Sequence, residues 1–148
     1  MSVALDALKW IADTLLTKRN ENIAQKAARW THVADYLDNL ATIIDATVQD
    51  FQAARIPHGH YSQLYNLGGS FENVLWQVYE RDKVEDWKTV RHLRHMYQRS
   101  VHLIEVGDAM VLEAANVPYS QQGKEVLADL QNAVGRFRAL AMTLRATA

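Results

Sequence analysis

The stretch "KTVRHLRHMYQRSVH", residues 88–102, gathers three histidines and four fixed cations with no acid among them. On a helix, His92, His95, Arg99 and His102 fall within about 80° of one another, so three imidazoles share one side. That arrangement is what a metal site on a single helix would need. Two features oppose it. Lys88, Arg91 and Arg99 are interleaved with the histidines and repel a cation, and no carboxylate shares that face between Lys88 and His102. The Glu-x-x-His pairs of di-iron helical bundles do not occur in the chain. His58 and His60 flank a turn signal and offer only two ligands of their own. No metal and no other cofactor is expected.

Hydrolytic chemistry finds equally little. With no cysteine, thiol catalysis, disulfides and Cys-based zinc sites are all removed. The nucleophile elbow G-x-S-x-G, the phosphate loop G-x-x-x-x-G-K-[ST] and the zinc pair H-E-x-x-H are missing. Ribonucleases of the HEPN type use an Arg and a His with four to six residues between them. Arg55 and His60 stand at that spacing, but Pro57 and Gly59 place them across a turn. In the basic stretch Arg91 to His95 is too short and Arg94 to His102 too long. The chain does not read as an enzyme.

The basic stretch is therefore read as a surface. Val90, Leu93, Tyr97, Val101 and Ile104 form the apolar side of its helix, and Lys88, Arg91, His95, Arg99 and His102 the outer side. A solvated helix face, a docking surface for an acidic partner and a surface for anionic headgroups all fit this pattern. The last is worth ~1 kcal/mol per Lys or Arg near the lipid. A second candidate lies at the N-terminus, where Leu5, Leu8, Ile11, Ala12 and Leu15 make an apolar stripe with Trp10 well off it. Trp10 either packs on another segment or anchors an amphipathic helix at a membrane interface, where indole is favoured.

The elements that must position these residues follow from period and punctuation. A first helix is predicted over about 3–18 with Ser2 as N-cap, and a second over about 21–54. In the second, Val33, Leu37, Leu40, Ile44, Thr47 and Phe51 step by four and three, the seam of a helix packed along its neighbours. Its opposite face carries Asp35, Asp38, Asp45 and Asp50 with no Lys or Arg between Val33 and Asp50, so head-to-face self-association with the basic face is an available reading. A third helix, about 61–81, is expected to break at Gly68-Gly69 and to be recapped by Ser70. A fourth covers about 84–115. A fifth, from a Ser120 cap to about 146, carries a second seam at Leu127, Leu130, Val134, Phe137, Ala141 and Leu144. Trp30, Trp76 and Trp87 read as core or boundary residues.

No strand-like alternation competes with these helices, and only six glycines and two prolines occur in 148 residues. The expected fold is all-α, an antiparallel bundle of four to five helices in one domain. Residues 1–20 form its N-terminal amphipathic helix and 21–148 its core. A formal net charge of −1 gives no global case for nucleic-acid binding. The first twenty residues do not read as a signal peptide, since Asp6 and Asp13 interrupt the apolar part. No apolar run approaches the ~20 residues of a membrane span. A cytoplasmic location is expected, with conditional membrane association.

The succession "VADYLDNLATIID", "IPHGHYSQL" and "LADLQNAVGRFRALAMTLRA" resembles the bacterial Bell domains of immune and conflict systems. These are counterparts of fungal HeLo domains and of the killer four-helix bundle of mixed-lineage kinase-like pseudokinases. The resemblance covers residue 33 to the end and, less closely, the N-terminal helix. It implies a non-enzymatic, membrane-targeting cell-death module, activated when copies are gathered by a signalling partner. It also implies that the N-terminal helix engages lipid, here through Leu5, Leu8, Trp10, Ile11 and Leu15. A helical adaptor that recruits another protein is the alternative, and a HEPN-like ribonuclease a distant third.

Overall fold

Neither glycine nor proline occurs before Pro57, and the helix that forms there does not stop: α1 runs Val3–Gln52. The two helices expected over 3–18 and 21–54 are one rod. Asn20, the residue at the expected boundary, is only a mediocre helix former, and nothing beside it removes a backbone donor or demands a turn. The computed structural model describes the backbone of residues 3–53, 55, 59–114 and 121–147, and the side chains of 23–53, 55, 59–106 and 123–147. After α1 come α2 (His60–Gly68), α3 (Phe71–Leu75), α4 (Val84–Ala114) and α5 (Gln121–Thr147), and no strand is found among the described residues. The chain is an all-α helical bundle.

Ion pairs give the relative directions of the long helices. Asp35, Asp38 and Asp45 of α1 meet Arg145 and Arg138 of α5 in reverse order, so the two helices are antiparallel. Arg99 with Asp129 and His92 with Arg136 show the same for α4 and α5. The α1–α5 interface is the most extensive in the bundle. Every residue of the α1 seam from Val33 to Phe51 is fully buried, and the α5 seam from Leu127 to Leu144 is buried along its whole length. Thr47 is the polar member of the α1 seam. Its hydroxyl donates to the Ile43 carbonyl at 2.9 Å, which removes most of the cost of burying it.

The break at Gly68-Gly69 is present, and Ser70 stands at the N-cap position of α3 without a side-chain capping bond. The expected continuation to Arg81 is absent, because α3 closes at Leu75. There the chain tightens: Gln77 and Val78 N–H groups bond three residues back, to Val74 and Leu75. Two side chains of α4 then tie the connection down. The Trp87 indole N–H donates to the Arg81 carbonyl, and the Asp86 carboxylate accepts the Glu80 N–H at 2.6 Å. At the other end of α2, Gly59 takes a left-handed φ of 81°, a conformation that other residues adopt at a cost, and opens the helix.

Gly68 is required for a different reason. A Cβ there would lie 1.6 Å from the Tyr97 hydroxyl oxygen and 1.8 Å from its Cζ. The Tyr97 ring thus occupies the space that a side chain would need, and its O–H donates to the Leu64 carbonyl at 2.8 Å. Burial raises the pKa of the Tyr97 and Tyr36 phenols, which keeps both as neutral donors; Tyr36 bonds the Leu67 carbonyl at 2.5 Å. These two phenols pin the end of α2 against α1 and α4. Gly68→Ala is expected to destabilise the domain by about 1–3 kcal/mol through overpacking. Gly69→Ala, whose Cβ would meet only the Asn66 carbonyl at 3.4 Å, should be close to neutral. Denaturant melts of the two variants check this, and equal midpoints would remove Tyr97 from the Gly68 site.

Candidate interaction surface

α4 buries Val90, Leu93, Tyr97 and Ile104 and half-buries Val101, which leaves its other side to solvent. Lys88, Arg91, His95, Arg99 and His102 are all placed on that side, where each is solvent-accessible. They are not equivalent. Arg99 reaches Asp129 of α5 at 2.6 Å, and Lys88 lies 3.5 Å from Glu85 one turn back. Arg91, His95 and His102 have no partner among the described residues. Arg94, the remaining cation of the stretch, turns away from this face. It pairs with Glu72 of α3, and its Nε is buried without a hydrogen-bond partner.

α5 completes the surface with a residue outside the basic stretch. Arg136 lies beside His92, its Nη1 3.2 Å from the imidazole Nε2. A guanidinium can only donate, so Nε2 accepts and the His92 proton sits on Nδ1 in this arrangement. Around this pair the two helices leave an open groove of about 520 Å³. Its floor is Leu93, Ala139 and Leu140. Lys88, His92 and Arg136 rim it, together with the hydroxyl-bearing Thr89 and Thr143. Met142 stands 70% exposed on the same helix, α5. Cations around an apolar floor suit a ligand with an anionic head and an apolar body. Arg136 could have been found from the sequence only with the antiparallel α4–α5 register already in hand.

The acidic side of α1 turns out differently from its expected free face. Arg145 of α5 pairs with both Asp35 and Asp38 at 2.7 and 2.5 Å, and these hydrogen bonds raise its pKa further. Arg138 lies 3.6 Å from Asp45. Asp50 takes Arg55 on one oxygen at 3.1 Å and faces the His60 ring with the other at 3.5 Å. The aspartates are thus engaged within the bundle, so head-to-face self-association through them would have to compete with these pairs. Arg55 and His60 do converge, on Asp50. His60 Nδ1 is also 3.2 Å from the Thr47 hydroxyl, whose hydrogen is already given to Ile43, so Nδ1 carries the proton. The cluster staples the end of α1 to the start of α2.

Among the described residues no group of three or more His, Cys, Asp or Glu is placed to hold a metal ion. No described helix is long and apolar enough to cross a membrane. The candidate lipid-engaging residues Leu5, Leu8, Trp10, Ile11 and Leu15 lie outside the described side chains, as do the Ser2 and Ser120 caps. No known family model, curated protein or solved structure matches the chain. The Bell-type likeness therefore stands on the quoted sequence stretches.

Proposed function

We propose that this domain is a non-enzymatic, membrane-targeting effector module of a bacterial immune signalling system, set in action when copies are gathered together. The observation that carries the reading is the α4–α5 face, where Arg91, His95 and His102 have no carboxylate partner among the described residues and the two helices leave a groove with an apolar floor and a cationic rim. The cations of α5 that face α1 are spent on Asp35, Asp38 and Asp45, whereas Arg91 and Arg136 leave charge on this face that no described carboxylate neutralises. Anionic headgroups supply such an anion in a dense array, and each Lys or Arg near them adds ~1 kcal/mol. The Bell-type likeness supports the same class of action and adds the N-terminal helix as the segment that enters lipid.

The test is vesicle binding. Arg91→Glu with Arg136→Glu removes two cations and adds two anions on exposed positions, neither of which pairs with a carboxylate among the described residues. Affinity for vesicles rich in anionic lipid should fall about 30-fold or more, while the melting temperature stays near wild type. Binding by the wild type should also weaken steeply with salt. Arg99 is a poorer choice, since a glutamate there would face Asp129. Unchanged vesicle binding by the double variant at low salt would reduce the face to a solvated surface. Loss of binding to a protein partner, with vesicles ignored by both forms, would make the domain an adaptor.

A further inference from the structure

A second hollow, of about 450 Å³, lies between α1 and the connection from α3 to α4. α1 contributes Lys26, Arg29 and Trp30, and the connection contributes Trp76 and Tyr79. The aromatic side chains already hold cations against their rings. Lys26 Nζ lies 4.5 Å from the Trp30 ring centroid, and the Arg81 guanidinium 5.2 Å from that of Trp76. Trp76 in turn packs on Trp87 at 4.6 Å. Arg55, Arg94, Arg99, Arg138 and Arg145 each sit on a carboxylate, but Lys26 and Arg29 have none among the described residues. The one acid on the rim, Glu80, is held by Lys83 at 2.9 Å.

We propose that this hollow binds a nucleotide, its base displacing the Lys26 and Arg81 cations from the indoles of Trp30 and Trp76 and its phosphate taken by Arg29 and the displaced Lys26. Indole faces take any nucleobase by stacking, and two cations of one helix with no carboxylate among the described residues supply the complementary charge. The volume falls within the roughly 300–1,000 Å³ of small-molecule sites. The aromatic wall is also formed in advance, because Trp87 holds the Arg81 carbonyl and Asp86 holds the Glu80 N–H. A lipid interface fits less well: Trp30 and Trp76 are half-buried in a concavity rather than raised on a convex edge. The net charge of −1 averages this local feature away.

Isothermal titration of the full chain with AMP and GMP tests the proposal, with adenosine, inorganic phosphate and a short single-stranded oligonucleotide as further arms. Saturable binding is expected for the nucleotides, and weaker binding for adenosine and for phosphate alone. Tighter binding of the oligonucleotide would assign the nucleotide to a strand, and equal binding to a free ligand. Trp76→Ala should weaken binding about tenfold or more, as expected for the loss of a base–aromatic stack. Because Trp76 also packs on Trp87, Lys26→Ala with Arg29→Ala gives a second variant outside the core, and it should weaken nucleotides far more than adenosine. The proposal fails if no nucleotide binds up to about ten millimolar, or if binding ignores both variants. It fails equally if Trp76→Ala alters vesicle binding alone.

Discussion

Leu40→Asp and Leu130→Asp are each expected to unfold the domain, with the helical circular dichroism signal collapsing at room temperature. Both side chains are fully buried, one in α1 and the other in α5. Two costs add in each variant. Losing a buried leucine costs about 2–5 kcal/mol. An aspartate in that place must then either bury an unpaired charge or take up a proton to avoid it, which adds several kcal/mol more. A domain of ordinary stability holds only about 5–15 kcal/mol in total, so the sum uses up most or all of it. The α1–α5 interface gives no local refuge, because it is the largest in the bundle and α4 packs against α5 as well. Thr42→Asp, at an exposed position two residues along α1, is the matched control and should melt close to wild type. Wild-type melting of Leu40→Asp would falsify the placement of α1 in the core.

The seams at Val33–Phe51 and Leu127–Leu144 are readable because burial on a helix writes itself into three- and four-residue steps, and every seam position is buried. The break at Gly68-Gly69 is readable for a local reason too, though not that Gly68 makes room for Tyr97, twenty-nine residues away. What a helical period does not encode is which side chains of two distant helices come level. Asp35 reads as part of a free acidic stripe until Arg145, a hundred and ten residues later, is laid across it. The same holds at the candidate surface. The outward direction of Lys88, Arg91, His95, Arg99 and His102 follows from the apolar stripe behind them. The neutralisation of Arg99 by Asp129, the inward turn of Arg94 to Glu72 and the entry of Arg136 depend on α4 meeting α3 and α5. The continuity of α1 through Asn20 is hard to see in advance, because a weak helix former reads as an end even where no residue nearby forces one. Trp30, Trp76 and Trp87 belong to three different segments, and only the fold makes two of them walls of one hollow.

Forced clustering of the wild-type domain should kill cells and permeabilise anionic vesicles, and Leu8→Asp with Ile11→Asp should abolish both effects. Membrane action needs an apolar stripe to offer to lipid, and the sequence supplies one at Leu5, Leu8, Ile11 and Leu15. Any cover that this stripe has in the monomer must be given up when it enters lipid. For four large side chains that cost is several kcal/mol at ~25 cal/mol per Å² of buried apolar area. On the effector reading, a lone copy at low concentration would have nothing to offset such a cost, and the equilibrium would favour the inactive form. Clustering would change the balance by raising the effective concentration of neighbouring cationic faces, each adding the headgroup attraction proposed for Arg91 and Arg136. The continuity of α1 limits how the stripe can be delivered. Between Val3 and Gln52 there is no glycine or proline to act as a hinge, and from Val33 onward the same helix carries the core seam. Two aspartates in the stripe would make its transfer to lipid unfavourable, while Val33–Phe51 remains intact to hold the bundle together. The double variant should therefore keep cooperative melting and vesicle docking through α4–α5, yet lose leakage and toxicity. An adaptor behaves otherwise: clustering alone would do no harm, and the two aspartates would alter at most one partner contact. If clustered wild-type domain neither harms cells nor opens anionic vesicles, the effector reading gives way to the adaptor one.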